Sequence, residues 1–249
     1  MAFFLRSRSS SSGVARRRGT PKLGALVRAA IFLSAAILSL PQSAVAVSNV
    51  QDAPLLDYAV HINRTPQQPW PGYGVYLGSG YVLTAAHVTS PFVAAKPVVV
   101  IDGKQFPARL VREGSFKGVD LTLMAIDQAQ LPLRLRMRRM PLCITPPTPG
   151  EYVVVAIPEG TARSRVLPPS ALPANVRNRF GTAIGDVATT GNSGSGVFDA
   201  YQQCLLGIIS RKISVRMSRP GVPVRQFDIA KYFVPAADIK AFLPPGVTF

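Results

Sequence analysis

Short apolar runs bounded by glycine and proline constrain the fold of this chain more than any other feature. The 249 residues include 23 prolines and 20 glycines, and only 16% of them are charged. Runs of this length suit β-strands, because amphipathic helices need longer periodic segments. Since 47% of the residues are hydrophobic, the chain can bury a core. The sequence therefore predicts an all-β fold of barrel or sandwich type.

We predict a hairpin, several further strands, two irregular segments and one helix. The hairpin covers residues 74–83 and turns at Gly78-Ser79-Gly80. Further strands are predicted over residues 98–101, 106–112, 121–126, 133–138, 152–156, 180–184 and 205–210. Residues 47–70 are expected to be irregular, and residues 159–179 to form a long exposed loop. The one predicted helix spans residues 235–243, with Pro235 in its first turn.

The first 46 residues have the composition of an export leader. They contain seven lysines or arginines and no acidic residue, then an apolar run over residues 29–40 and the small residues Ala44-Val45-Ala46. This order predicts a secretory signal peptide that is cleaved before Val47, and therefore a secreted or periplasmic protein. An organelle transit peptide is the alternative. The apolar run is too short to span a bilayer comfortably, so we expect no stable membrane span after signal removal.

Residues 47–249 retain 21 basic and 12 acidic residues, a formal net charge of +9. Such a charge can favour anionic partners. No nucleic-acid recognition motif is present, so we expect no nucleic acid partner. The sequence does not indicate an oligomeric state.

The two cysteines and two histidines limit which disulfides and metal sites the chain can form. Cys143 and Cys204 could form a disulfide in an oxidising compartment, or remain as two buried thiols. His61 and His87 have no cluster of cysteines or carboxylates at ligand spacing, so we expect no metal site and no cofactor.

Three segments could supply nucleophilic chemistry, in the order histidine, aspartate, serine. His87 follows Thr84-Ala85-Ala86, Asp120 opens an apolar strand, and Ser193 lies within Gly191-Asn192-Ser193-Gly194-Ser195-Gly196. A serine hydroxyl needs an adjacent base and a group that orients the base. The backbone N–H groups of Gly191 and Ser193 are candidates for an oxyanion hole. Each residue alone has an ordinary structural explanation, and only the combination favours catalysis.

These segments resemble the conserved blocks of trypsin-like (chymotrypsin-fold) serine proteases. Gly78 to His87 is similar to their histidine block, Asp120-Leu121-Thr122-Leu123 to their aspartate block, and Gly191 to Gly194 to their serine block. The resemblance implies two antiparallel six-stranded β-barrels packed crosswise, followed by a C-terminal α-helix. The expected protease domain covers residues 47–249, with the first barrel at about 70–140, the second at about 141–234 and the helix at 235–243.

The resemblance also implies roles for individual residues. Ser193 would attack a peptide carbonyl, His87 would take and return the proton, and Asp120 would hold the imidazole tautomer. The backbone of Ser210 would pair with the substrate, and Val187 would form the floor of the specificity pocket. The expected partner is therefore a protein or peptide substrate.

Two residues and both chain ends depart from the usual pattern of the family that this sequence resembles. Asn192 precedes the serine, as in bacterial Deg/HtrA proteases, and no Ile-Val-Gly-Gly-like start is present, so we expect no activation by a new N-terminus. Ser195 stands where the family usually has glycine. The sequence ends after the predicted helix, so we expect no PDZ module.

Two functions follow from these observations. The first is an exported serine endopeptidase that works through a Ser-His-Asp triad and an acyl-enzyme intermediate. The alternative is a catalytically idle binding protein on a protease fold.

Overall fold

Strands dominate the computed structural model, which describes residues 50–63, 72–89, 97–177, 179–185, 193–219 and 221–247. Within these ranges the regular structure consists of twelve strands, four short α-helices and several 3₁₀ turns. The helices are α1 (Ala53–Leu56), α2 (Leu133–Arg136), α3 (Ala174–Arg177) and α4 (Ala236–Phe242).

The first six strands form a closed antiparallel barrel. They are β1 (Ala59–Ile62), β2 (Gly72–Gly78), β3 (Tyr81–Thr84), β4 (Val98–Ile101), β5 (Lys104–Glu113) and β6 (Thr122–Ile126). Their spatial order is β1-β2-β3-β6-β5-β4, and β4 returns to pair with β1. The predicted β2–β3 hairpin is confirmed, and Gly78 and Gly80 adopt φ values of 113° and 79° in its turn, a conformation that favours glycine.

The other six strands form a second antiparallel sheet. They are β7 (Tyr152–Ile157), β8 (Gly160–Arg165), β9 (Ala183–Gly185), β10 (Gly196–Asp199), β11 (Leu205–Arg219) and β12 (Val222–Pro235). Their order is β8-β7-β10-β11-β12-β9. The two outer strands meet through a bridge between Val166 and Ile184 and a 2.8 Å hydrogen bond from Leu167 N to Ala183 O. The predicted two-barrel fold is thereby confirmed.

A shared apolar core joins the two barrels. It contains Leu77 and Leu123 from the first barrel and Val154, Phe198 and Ile208 from the second, all fully buried. Helix α4 covers this core with Ile239 and Phe242. The predicted C-terminal helix is confirmed, and the guanidinium of Arg112 in the first barrel donates to its last carbonyl, Phe242 O, at 2.7 Å. The loops that meet where the two barrels join are therefore supported by packed side chains from both barrels.

The two cysteines form a disulfide in the second barrel. The Cα atoms of Cys143 and Cys204 are 5.1 Å apart, and both residues are buried. Leu142 and Leu205, the neighbours of the cysteines, also form a parallel bridge. The disulfide therefore fastens the segment that enters the second barrel to the start of β11.

Three local predictions were wrong. Residues 133–138 were predicted as a strand, but residues 133–136 form α2. The alternation of apolar and basic residues there does not follow burial, since Leu133 and Met137 are exposed. Arg134, within α2, and Arg138, just beyond its end, both pair with Asp57.

The other two errors concern segments predicted to lack regular structure. Residues 47–70 include β1, which is buried along its whole length and so has no alternating pattern. Residues 159–179 include β8, whose partner β7 supplies the pairing that the sequence does not reveal.

The hairpin of β11 and β12 extends beyond the rest of its sheet. Strand β9 pairs with β12 only at residues 230–232, so residues 214–219 and 222–228 form a two-stranded arm. Arg216, Met217, Val224, Arg225 and Phe227 are exposed on it. The sequence predicted only residues 205–210 of this hairpin.

Candidate active site

His87 lies in a 3₁₀ turn, Ala86–Val88, that directly follows strand β3. Its backbone N–H donates to Asp120 Oδ1 at 3.1 Å, which fixes the turn against the β5–β6 loop. Its side chain is 29% exposed, and the ring packs edge-on against Phe116 with 5.4 Å between centroids. The imidazole is therefore held in place but remains open to solvent on one side.

Asp120 is a buried carboxylate that accepts hydrogen bonds from two side chains. Its Oδ2 atom lies 2.8 Å from His87 Nδ1 and accepts from Ser210 Oγ at 2.6 Å. Burial raises the pKa of Asp120, but the hydrogen bonds from His87 and Ser210 outweigh burial, so the pKa lies below its usual value. An ionised carboxylate only accepts, so His87 carries its proton on Nδ1 and presents Nε2 as the basic atom.

Ser193 is half-buried at the start of the segment that leads into β10. Its carbonyl accepts from Tyr73 N at 3.0 Å, which connects the serine segment to the first barrel. Its hydroxyl donates to Ser210 O at 3.5 Å. Among the described residues its backbone N–H has no hydrogen-bond partner, which is compatible with a role in an oxyanion hole.

Gly194 allows the serine segment to approach the first barrel closely. Its φ is +91°, and a Cβ atom there would overlap Tyr73 O and Thr84 Oγ1. Its N–H donates to Ile209 O at 2.8 Å. Glycine is therefore required at this position for both conformation and space.

Ser210 connects the three predicted catalytic residues. Strand β11 has a register shift between Ile209 and Arg211, which leaves Ser210 without a partner on β12. Such a bulge redirects a side chain, and here the Ser210 hydroxyl faces Asp120 while its carbonyl faces Ser193. His87, Asp120 and Ser193 are thus brought to one site, linked through Ser210.

The remaining predicted residues have different outcomes. Gly191, Asn192 and Val187 lie outside the described residues. Ser195 is fully buried. Within the described ranges, no group of three or more histidine, cysteine or acidic side chains is placed to bind a metal ion.

Sequence reasoning missed three features of the site. The Ser210 hydroxyl was not predicted to contact Asp120, because that contact depends on the bulge. Phe116 and Arg211 were not considered, although Arg211 follows a residue already predicted to lie in the site. The Arg211 guanidinium lies 4.1 Å from the Phe116 ring centroid, on the flank of His87.

Solved structures of serine proteases share this fold. The active form of the Rv3671c protease from Mycobacterium tuberculosis is 18% identical, with a TM-score of 0.54 over 81% of this chain and 86% of that one. A serine endoprotease from Yersinia pestis is 20% identical, with a TM-score of 0.52 over 77% of this chain and 63% of that one. At these identities the likeness concerns the fold alone. Among curated proteins, none matches the sequence significantly.

The sequence match is to a family rather than to one protein. The family model described as the trypsin-like peptidase domain matches residues 72–208, more than half of the chain. This range includes strand β2, the His87 turn, Asp120 and Ser193. The chain therefore belongs to the trypsin-like peptidases, a family of serine endopeptidases.

Proposed function

We propose that the chain hydrolyses peptide bonds with Ser193 as nucleophile, His87 as general base and acid, and Asp120 as the group that orients His87. The observation that carries this proposal is the charged, buried Asp120 bonded to His87 Nδ1. A carboxylate in that position stabilises the imidazolium that forms when the base accepts a proton.

The reaction proceeds in two stages. Ser193 Oγ attacks the peptide carbonyl carbon while its proton moves to His87 Nε2, and His87 then gives that proton to the leaving amine as the C–N bond breaks. Water attacks the resulting ester with His87 again as base, which releases the acid and restores the serine. The N–H of Ser193, together with that of Gly191, would stabilise the oxyanion of each tetrahedral intermediate.

Replacement of the nucleophile tests this assignment. We expect Ser193→Ala to lower kcat for peptide hydrolysis by on the order of 10⁶ without changing the fold. Ser218→Ala, at an exposed position of the arm, is the matched control and should keep full activity. Equal turnover by the wild type and Ser193→Ala would refute the proposal.

One observation favours the alternative of a catalytically idle binding protein. The Ser193 hydroxyl donates to Ser210 O and not to His87 in the described part of the chain. Hydrogen bonds between catalytic groups are often long or poorly aligned in unliganded enzymes, so substrate would have to turn the hydroxyl toward His87. A folded wild type that binds peptides as tightly as Ser193→Ala does and cleaves none of them would support the idle protein.

We also propose that the enzyme acts after export and selects small aliphatic side chains through a pocket with Val187 at its floor. The Cys143–Cys204 disulfide is consistent with an oxidising compartment. In the described ranges no helix is long and apolar enough to cross a membrane. Sequencing of the exported protein should give Val47 as the first residue, whereas a retained Leu40 would contradict cleavage.

A peptide library tests the proposed pocket with Val187 at its floor. It should be cleaved after small aliphatic residues, and strong cleavage after arginine would contradict the pocket.

A further inference from the structure

A cationic side chain lies within a row of aromatic rings beside His87. The guanidinium carbon of Arg211 is 4.1 Å from the ring centroid of Phe116, 5.4 Å from that of Phe180 and 6.0 Å from that of Tyr232. The ring of Phe116 also contacts the ring of His87. Phe180 and Tyr232 also pack on each other, at 4.9 Å.

The hydrogen bonds of Arg211 leave its charge without a carboxylate. Its Nη2 donates to Phe116 O at 2.8 Å and its Nε to Ser210 Oγ at 3.3 Å, and both acceptors are neutral. No carboxylate among the described residues lies within ion-pair distance of it. By contrast, Arg134 and Arg163 are paired with Asp57 and Asp52.

Arg211 lies beside the residues that the proposed function places against the substrate. It follows Ser210, whose carbonyl accepts from Ser193 Oγ, and it is half-buried rather than extended into solvent. Two bonds and the ring of Phe116 fix the guanidinium, so its unused N–H groups are oriented before any ligand arrives. An oriented guanidinium binds carboxylates well, because little rotamer freedom is lost on binding.

We propose that Arg211, with Phe116, Phe180 and Tyr232, forms a subsite for an acidic side chain of the substrate. The acidic residue lies on the N-terminal side of the cleaved bond, the part that we expect to pair with the backbone of Ser210. The inference rests on the proposed function, which places Arg211 beside the bound substrate and sets this choice of side. The apolar rings contact the methylene groups of the aspartate or glutamate, and the guanidinium binds its carboxylate.

Matched peptides test the subsite. In the first series, each peptide carries a single glutamate at one of the four positions before the cleaved bond. In the second series, glutamine replaces that glutamate. We expect kcat/KM to favour glutamate by about tenfold at one position, the effect of one well-placed charge pair, and the preference to weaken as salt is added. Arg211→Gln should abolish the preference for glutamate. Arg211→Glu should instead prefer peptides with lysine at the same position.

Arg216→Gln is the control, because Arg216 is exposed farther along the same strand and should leave the preference unchanged. If Arg211→Gln alters only the melting temperature and keeps the preference for glutamate, the aromatic row is purely structural and the subsite is refuted. The same holds if the wild type cleaves both series equally.

A binding measurement separates this inference from the proposed function. The Kd values of both peptide series for Ser193→Ala do not depend on turnover. If Ser193→Ala binds the glutamate series more tightly in a way that requires Arg211, while the wild type cleaves neither series, the subsite is supported and the peptidase assignment is refuted. Cleavage by the wild type with no preference for glutamate in either kcat/KM or Kd would support the peptidase assignment and refute the subsite.

Discussion

The hydrogen bond from Ser210 Oγ to Asp120 Oδ2 should contribute measurably to stability. It is 2.6 Å long, and both residues are only 1% exposed. Hydrogen bonds to charged groups contribute about 1.5–3 kcal/mol, since their loss leaves a buried charge undersolvated. Ser210→Ala should therefore lower the free energy of unfolding by about 1.5–3 kcal/mol at neutral pH. For a domain of this size the melting temperature should fall by about 3–12 °C.

A second serine on the same strand provides the control. Ser214 Oγ donates to Asp228 Oδ1, also at 2.6 Å, but Ser214 is exposed and Asp228 has a second partner in Lys212. Donor, acceptor and length are thus alike, whereas Asp228 differs from Asp120 in its exposure to solvent and in its pairing with a lysine. Urea denaturation of both variants should show a much smaller loss for Ser214→Ala. Equal losses in the two variants would refute the argument that burial of Asp120 sets the strength of the bond.

Three further predictions concern stability. Gly194→Ala should abolish peptidase activity and destabilise the fold in thermal melts. Gly103→Ala is the control, because Gly103 also has a positive φ but open space around it, and it should lower the free energy of unfolding by only about 1 kcal/mol. Equal losses in the two variants would contradict the predicted overlap of the new Cβ atom at Gly194 with its neighbours. The pKa of Asp120 is lowered by folding, so its stabilising contribution is complete above pH about 4 and is lost as pH falls through the lowered value. The stability difference between the wild type and Asp120→Asn should accordingly shrink below pH 4, and a constant difference would contradict this linkage. Loss of the Cys143–Cys204 disulfide, which closes a loop with a sequence separation of 61, should cost about 4 kcal/mol in denaturant titrations; a loss below about 1 kcal/mol would contradict the loop-entropy argument.

Predictions from the sequence were most reliable where local residues determine the structure. The β2–β3 hairpin followed from Gly78 and Gly80, and α4 followed from Pro235 in its first turn. The segments that contain His87, Asp120 and Ser193 were selected from their neighbouring residues, their order in the chain and their resemblance to trypsin-like proteases, and their catalytic roles remain predictions. In each case the information lies within about ten consecutive positions.

Features that depend on pairing between distant segments were not predictable in this way. Strand β12 includes Pro223 and follows no clear alternation, and it is defined by its partner β11. The contact of Ser210 with Asp120 depends on a bulge, which is a property of the register between two strands. The position of Arg211 between Phe116 and Tyr232 depends on three separate elements of the chain.

Covalent labelling of the folded protein with a fluorophosphonate tests the central claim most directly. The account predicts that mass spectrometry will find the phosphonyl group on Ser193 alone, and that His87→Ala will suppress labelling because the hydroxyl then lacks its base. Ser218→Ala should be labelled as fast as the wild type. A folded wild type that stays unlabelled at Ser193, or reacts there equally well without His87, would contradict the account.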